Sequence, residues 1–189
     1  MNKRVSTAFI DCLLLLLLVL IILPHEPAPR AKQNVDLYSE LIIGARWADK
    51  SPSDIDLWVR APGDLPVGYS RTRGNSASLV WDDVGQVQDP IWRFEAAMIR
   101  SARDGEYVVN LHGYSLKVSH PVPVEIVVWR NLPASGMKQL WSGKVEIAYQ
   151  GQELTVVRFN MINGEILPGS FHKQPIKIRS GRNGSSRNR

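Results

Sequence analysis

The chain has 189 residues, a single cysteine and a formal net charge of +5. One cysteine excludes an intrachain disulfide and a zinc site built from cysteines. Beside one strongly apolar segment, ~130 residues remain, enough for one packed domain. The charge is uneven: Lys173, Lys177, Arg179, Arg182, Arg187 and Arg189 fall in an acid-free end, so the body before them carries −1 of the total +5. That end, residues 170–189, is expected to be a basic disordered tail, with anionic lipid as its possible contact. No aromatic residue interleaves with its cations, which argues against nucleic-acid binding by stacking.

In chain order, residues 1–4 form a short cytoplasmic end carrying Lys3 and Arg4, and residues 5–23 follow as an expected transmembrane helix. Cys12 to Leu23 is an unbroken run of twelve apolar residues. At ~1.5 Å per residue, residues 5–23 cover roughly 28 Å, close to the ~30 Å hydrocarbon thickness of a bilayer. The preceding cations keep the N-terminus in the cytoplasm. A cleaved signal peptide is the competing reading; the sequence PHEPAPRAK after Leu23 supplies no small-residue cleavage site. Asp11 is the residue that the anchor does not explain. A carboxylate disfavours insertion by roughly 2.5–3.5 kcal/mol at a helix centre and less near an end. It is either hydrated at the interface or turned to a protein interior, where it can take up and release a proton.

The run STAFIDCLLLLLLVLIILP resembles the membrane helix of the ExbD/TolR family, relatives of MotB in proton-driven motor units. Thr7, Phe9, Ile10, Asp11, Leu14 and Pro24 carry the resemblance. It implies that Asp11 is the proton-carrying residue, with Thr7, Phe9, Ile10 and Leu14 on the supporting helix. It also implies a homodimer within a ring of a multi-span ExbB/TolQ/MotA-like membrane protein, and a folded domain in the periplasm. Ala8 stands where that family often has proline, and the basic stretch before the helix is short.

Residues 24–40, with three prolines in the first eleven, read as a linker. From residue 41 to 169 short β-type runs succeed one another: LIIGARW, DIDLWVR, ASLVW, GEYVVNLHG, VPVEIVVWR, GKVEIAYQ and ELTVVRFN. Tyr107, Val109, Leu111 and Gly113 share one face of their run, and Val124, Ile126, Val128 and Arg130 share one face of theirs. Gly151-Gln152 reads as a tight hairpin. IWRFEAAMIRSA, residues 91–102, is the one helical candidate and is also compatible with a strand. The fold class is therefore mainly β: an N-terminal transmembrane helix, then an antiparallel β-sandwich of about seven or eight strands. Asp54-Ile55-Asp56-Leu57-Trp58-Val59 with Pro62, and Asp104-Gly105-Glu106-Tyr107 with His112, resemble a bacterial β-sandwich family of unknown function, which implies a fold and no activity.

Acids gather at Asp54, Asp56, Asp82 and Asp83, with Asp89 nearby. They read as turn-forming and strand-capping acids or as calcium ligands, since calcium takes six to eight oxygens; no EF-hand loop is present. Asp54 and Asp56 would point to one face of a strand. None of the histidines His25, His112, His120 and His172 has the spacing of a helical metal pair, and His112 is expected to make a cross-strand contact. The six tryptophans read as strand packing, or as an aromatic surface for a carbohydrate or protein partner. There is no nucleophile elbow, P-loop or dinucleotide fingerprint, so neither an enzyme nor a cofactor is expected. The function expected first is a single-pass subunit of a proton-motive-force-driven complex in the bacterial inner membrane, its periplasmic β-sandwich engaging an unknown partner. The alternative is a membrane-anchored binding or structural module of the envelope, or of a phage, with no proton role.

Overall fold

The computed structural model describes residues 39–48, 51–85, 93–117, 121–132 and 135–179. The expected membrane helix, with Asp11, Thr7, Phe9, Ile10 and Leu14, lies outside them, as do most of the linker and residues 180–189. Among the described residues the protein is mainly β, without a helix. Nine strands follow in order: β1 (Leu41–Trp47), β2 (Asp54–Arg60), β3 (Ala77–Trp81), β4 (Arg93–Ile99), β5 (Gly105–Ser115), β6 (Val122–Leu132), β7 (Gly136–Ile147), β8 (Glu153–Ile162) and β9 (Glu165–Ile166).

They form two antiparallel sheets, one in the order β3-β4-β1-β6-β7 and one in the order β2-β5-β8-β9. Alternation explains the layering. Leu41, Ile43, Ala45 and Trp47 on β1, and Val122, Val124, Ile126 and Val128 on β6, turn one face of the first sheet inward. Ile55, Leu57 and Val59 on β2, Tyr107, Val109 and Leu111 on β5, and Val157, Phe159 and Met161 on β8 meet them in one apolar cluster. The Tyr107 and Phe159 rings stack at 5.1 Å between centroids. β5 begins on Gly105, whose φ of 125° only glycine adopts without strain and whose added Cβ would lie 2.9 Å from Pro62. From that turn Tyr107 donates its hydroxyl back to the Arg103 carbonyl at 2.9 Å. The Asp-Gly-x-Tyr sequence thus has a structural reason.

One alternative is resolved and one expectation revised. Within residues 91–102, compatible with a helix or a strand, Arg93–Ile99 is strand β4, paired along its length with β1. The segment expected as a disordered tail from residue 170 instead folds onto the outer face of the second sheet as far as Arg179. Ile178 is buried against Trp58 and Val108, with Ile176 packed beside it. The Ile176 amide donates to Thr155 Oγ1, and the Ile178 and Arg179 amides donate to Glu153 Oε1. Two isoleucines at strand spacing supply apolar area that the count of cations obscured. The hairpin at Gly151-Gln152 is present, closed by the Gln152 amide on the Tyr149 carbonyl.

Candidate functional site

β2 is an edge strand of its sheet and lies opposite β4 of the other sheet, where the layers meet. β4 sends Ala97 and Ile99 into the core, and the same face continues through Glu95 to Arg93. Both charged residues are buried, Glu95 completely. Glu95 reaches the edge of β2, where its Oε2 accepts the backbone amide of Leu57. There it meets the two β2 aspartates: one oxygen each of Asp54, Asp56 and Glu95 lies within 4.8 Å of the others.

Two register shifts shape the surroundings. Asp54 pairs with Ser115 and Ile55 with Gly113, so Tyr114 is the extra residue of a bulge on β5. Leu79 pairs with Ala97 and Trp81 with Ala96, so Val80 is the extra residue on β3, two residues before Asp82. A cavity of about 320 Å³ opens here, lined by Asp54, Asp56, Tyr69, Asp82, Val84 and Tyr114. Its tyrosines belong to a chain of edge contacts. Trp58 meets Tyr69 at 5.7 Å, Tyr69 meets Tyr114 at 5.7 Å, and Tyr114 meets His112 at 6.4 Å. Gly68 permits the first of these, because a Cβ there would lie 2.4 Å from the Trp58 ring.

Burial and like charge set the electrostatics. Desolvation, followed by the charges of Asp56, Asp82 and Asp83, pushes Asp54 up to about 7, with Lys117 opposing. Desolvation and then Asp82 push Asp56 up to about 7, against Arg179. Glu95 is raised well above the carboxylate range, chiefly by burial, although the Leu57 amide favours its ionised form. Its Oε1 is buried without a donor, and the side chain that Glu95 meets there is another carboxyl, Asp82. His112, directly opposite Asp56 on β5, places Nδ1 2.7 Å from Asp56 Oδ2, as the cross-strand expectation required. Burial depresses its basicity, and the short contact shares one proton between the ring and the carboxyl.

The structure therefore brings Asp54, Asp56 and Asp82 together and keeps the two β2 aspartates at one opening. Asp83 turns away: its Oδ1 accepts Arg93 Nη1 at 2.7 Å and the Gly85 amide at 2.9 Å. Asp89 lies outside the described residues. Glu95 was missed by sequence reasoning. Its signal is a charged residue in phase with Ala97 and Ile99, visible only once the segment is read as a strand. The aromatic expectation also needs sorting. Trp47 and Trp58 are buried, Trp81 is exposed, and the rings lining the cavity are tyrosines. No family model matches this chain, and neither a curated protein nor a solved structure matches it.

Proposed function

We propose that the chain is a non-catalytic recognition module, a β-sandwich displayed on the periplasmic side of a bacterial inner membrane by its apolar N-terminal segment. Its ligand is a hydroxyl-rich saccharide of the cell envelope. The observation that carries this reading is the cavity in which Asp54, Asp56 and Asp82 sit beside Tyr69 and Tyr114. Tyrosine faces take up the apolar faces of sugar rings, and carboxylates accept their hydroxyl protons. A concave opening with a few convergent polar groups is where a ligand is expected in a packed domain. The test is retention of the full chain on immobilised envelope glycans. Tyr69→Ala and Tyr114→Ala should each lower retention at least tenfold with the fold intact. Unchanged retention in both variants, or capture of a protein and of no glycan, would refute it.

A second reading rests on Asp11 within its apolar run. In it the chain is the proton-responsive subunit of a motor or energy-transducing complex. Asp11 takes a proton from one side of the membrane and releases it to the other. The helix works as a homodimer inside a multi-span ExbB/TolQ/MotA-like partner, and the β-sandwich passes the movement to a periplasmic target. Asp11→Asn should then abolish function at unchanged abundance and insertion. Full function of that variant removes the proton role and leaves the recognition module.

A further inference from the structure

We propose that Asp54, Asp56 and Glu95, with Asp82 beside Glu95, hold a divalent cation of the calcium class at the inner end of the cavity. Gathered acids alone would not carry this, because strand ends and turns collect carboxylates without any ion. The deciding feature is Glu95. It is fully buried, its Oε1 accepts no hydrogen bond, and the side chains around it are carboxyls, Asp82 among them, which can satisfy it only by holding a proton or by sharing a cation. A buried carboxylate oxygen without a donor is costly, and a cation is the partner that three or four converging carboxylates have in common.

The donor set selects the ion. Every ligand is a carboxylate oxygen, which suits calcium, magnesium or manganese and disfavours soft metals. The ligands are also held in place beforehand. The Leu57 amide fixes one oxygen of Glu95, and His112 Nδ1 fixes one oxygen of Asp56. Ligating carboxylates are commonly oriented by such outer hydrogen bonds. Arg93, the buried cation nearest in sequence, has its guanidinium on Asp83. Four carboxylates fall short of the six to eight oxygens calcium takes, so the remaining positions open toward the cavity and its tyrosines. There the ion would accept two neighbouring hydroxyls of a sugar; this role rests on the recognition reading, whereas the binding of the ion does not.

The experiment is a calcium titration of the full chain in detergent after removal of metals with a chelator, followed by calorimetry and by thermal unfolding. One calcium per chain should bind, with Kd of roughly 10⁻⁵–10⁻³ M, and raise the Tm. Glu95→Gln keeps an acceptor for the Leu57 amide, so it should fold, and it should bind calcium at least ~10-fold more weakly. Asp56→Asn should do the same, and Glu165→Gln, at an exposed position outside the cavity, should change nothing. Two results overturn the proposal: a folded wild-type chain that shows neither heat nor a Tm shift with millimolar calcium, magnesium or manganese, or a Glu95→Gln chain that binds calcium as tightly as wild type. The first would mean that Glu95 and Asp82 share a proton instead. Because the probe is the metal alone, calcium binding without glycan retention would remove the sugar and keep the ion, and the converse would remove the ion and keep the sugar.

Discussion

Glu95 on β4 accepts the backbone amide of Leu57 on β2, so a single carboxylate joins the two sheets at the edge where their strands do not pair. The amide it satisfies would otherwise point out of an edge strand into a dry interface. The two properties of Glu95, acceptor and charge, can be separated by substitution. Glu95→Gln keeps the acceptor and removes the charge that burial disfavours, so in chelator at pH 7 it should match or exceed wild-type stability. Glu95→Ala removes both and leaves a void, and should lose about 2–4 kcal/mol. Urea unfolding of the two variants side by side measures the difference.

The same carboxylates make the cation-free chain sensitive to pH in a direction opposite to that of most proteins. Asp54 and Asp56 titrate near 7 when folded, raised above the usual range chiefly by burial. A group raised in the folded state gives its full stabilisation below its unfolded pKa, and loses it as pH rises through the folded value. The groups facing them are Asp82 and Asp83 after β3, Glu95 on β4, His112 on β5, Lys117 and Arg179. His112, depressed by burial, works the other way: its contribution is present above its usual range and fades on acidification. With two aspartates and Glu95 against one histidine, the Tm in chelator should fall from pH 5 to pH 8. Melts across that range check it, and a Tm that rises with pH in chelator contradicts it.

Gly105 supports the start of β5 through backbone freedom. At φ 125°, with Pro62 2.9 Å from where a Cβ would stand, Gly105→Ala should lose roughly 1–3 kcal/mol. Gly136→Ala is the comparison. It shares a positive φ of 74° but would meet nothing within 4 Å, so it should lose less. Chemical denaturation of both measures the combined cost of the Pro62 contact and the more strained φ at Gly105.

The segment after β9 should behave as part of the domain. Ile178 fills the space over Trp58 and Val108, and Ile178→Ala should lose about 2 kcal/mol, at the lower end for a buried isoleucine because the cluster is small. The summed emission of the six tryptophans should also shift through the share of Trp58, since its ring loses that cover. An exposed, freely moving tail would leave both stability and emission unchanged.

Legibility followed periodicity. β6 shows why: Val122, Val124, Ile126 and Val128 are buried while Pro123 and Glu125 are exposed, so one face could be assigned from the residues alone. β5 alternates less plainly because both of its faces are covered, the outer one by Ile176 and Ile178 arriving from about seventy residues away in the chain. The acidic group was legible only in part. Asp54 and Asp56 are two residues apart on one strand, and spacing alone put them together. Asp82 joined them as expected, but its neighbour Asp83 was drawn off by Arg93, a partner that no local pattern reveals. Glu95 required knowing that β4 is a strand, and its run of alanines and a methionine is equally good helix material. The bulges that place Tyr114 and Asp82 depend on pairing across strands and leave no local signature.

Terbium luminescence tests the cation site most directly, because terbium occupies calcium sites and emits when excited through a nearby aromatic ring. Terbium added to the metal-stripped full chain should emit on excitation of the tyrosines that line the cavity. Calcium should quench that emission by displacement, and Glu95→Gln should abolish most of it. Emission that is absent in a folded wild-type chain, or that persists undiminished in Glu95→Gln, would contradict a cation held by Asp54, Asp56 and Glu95.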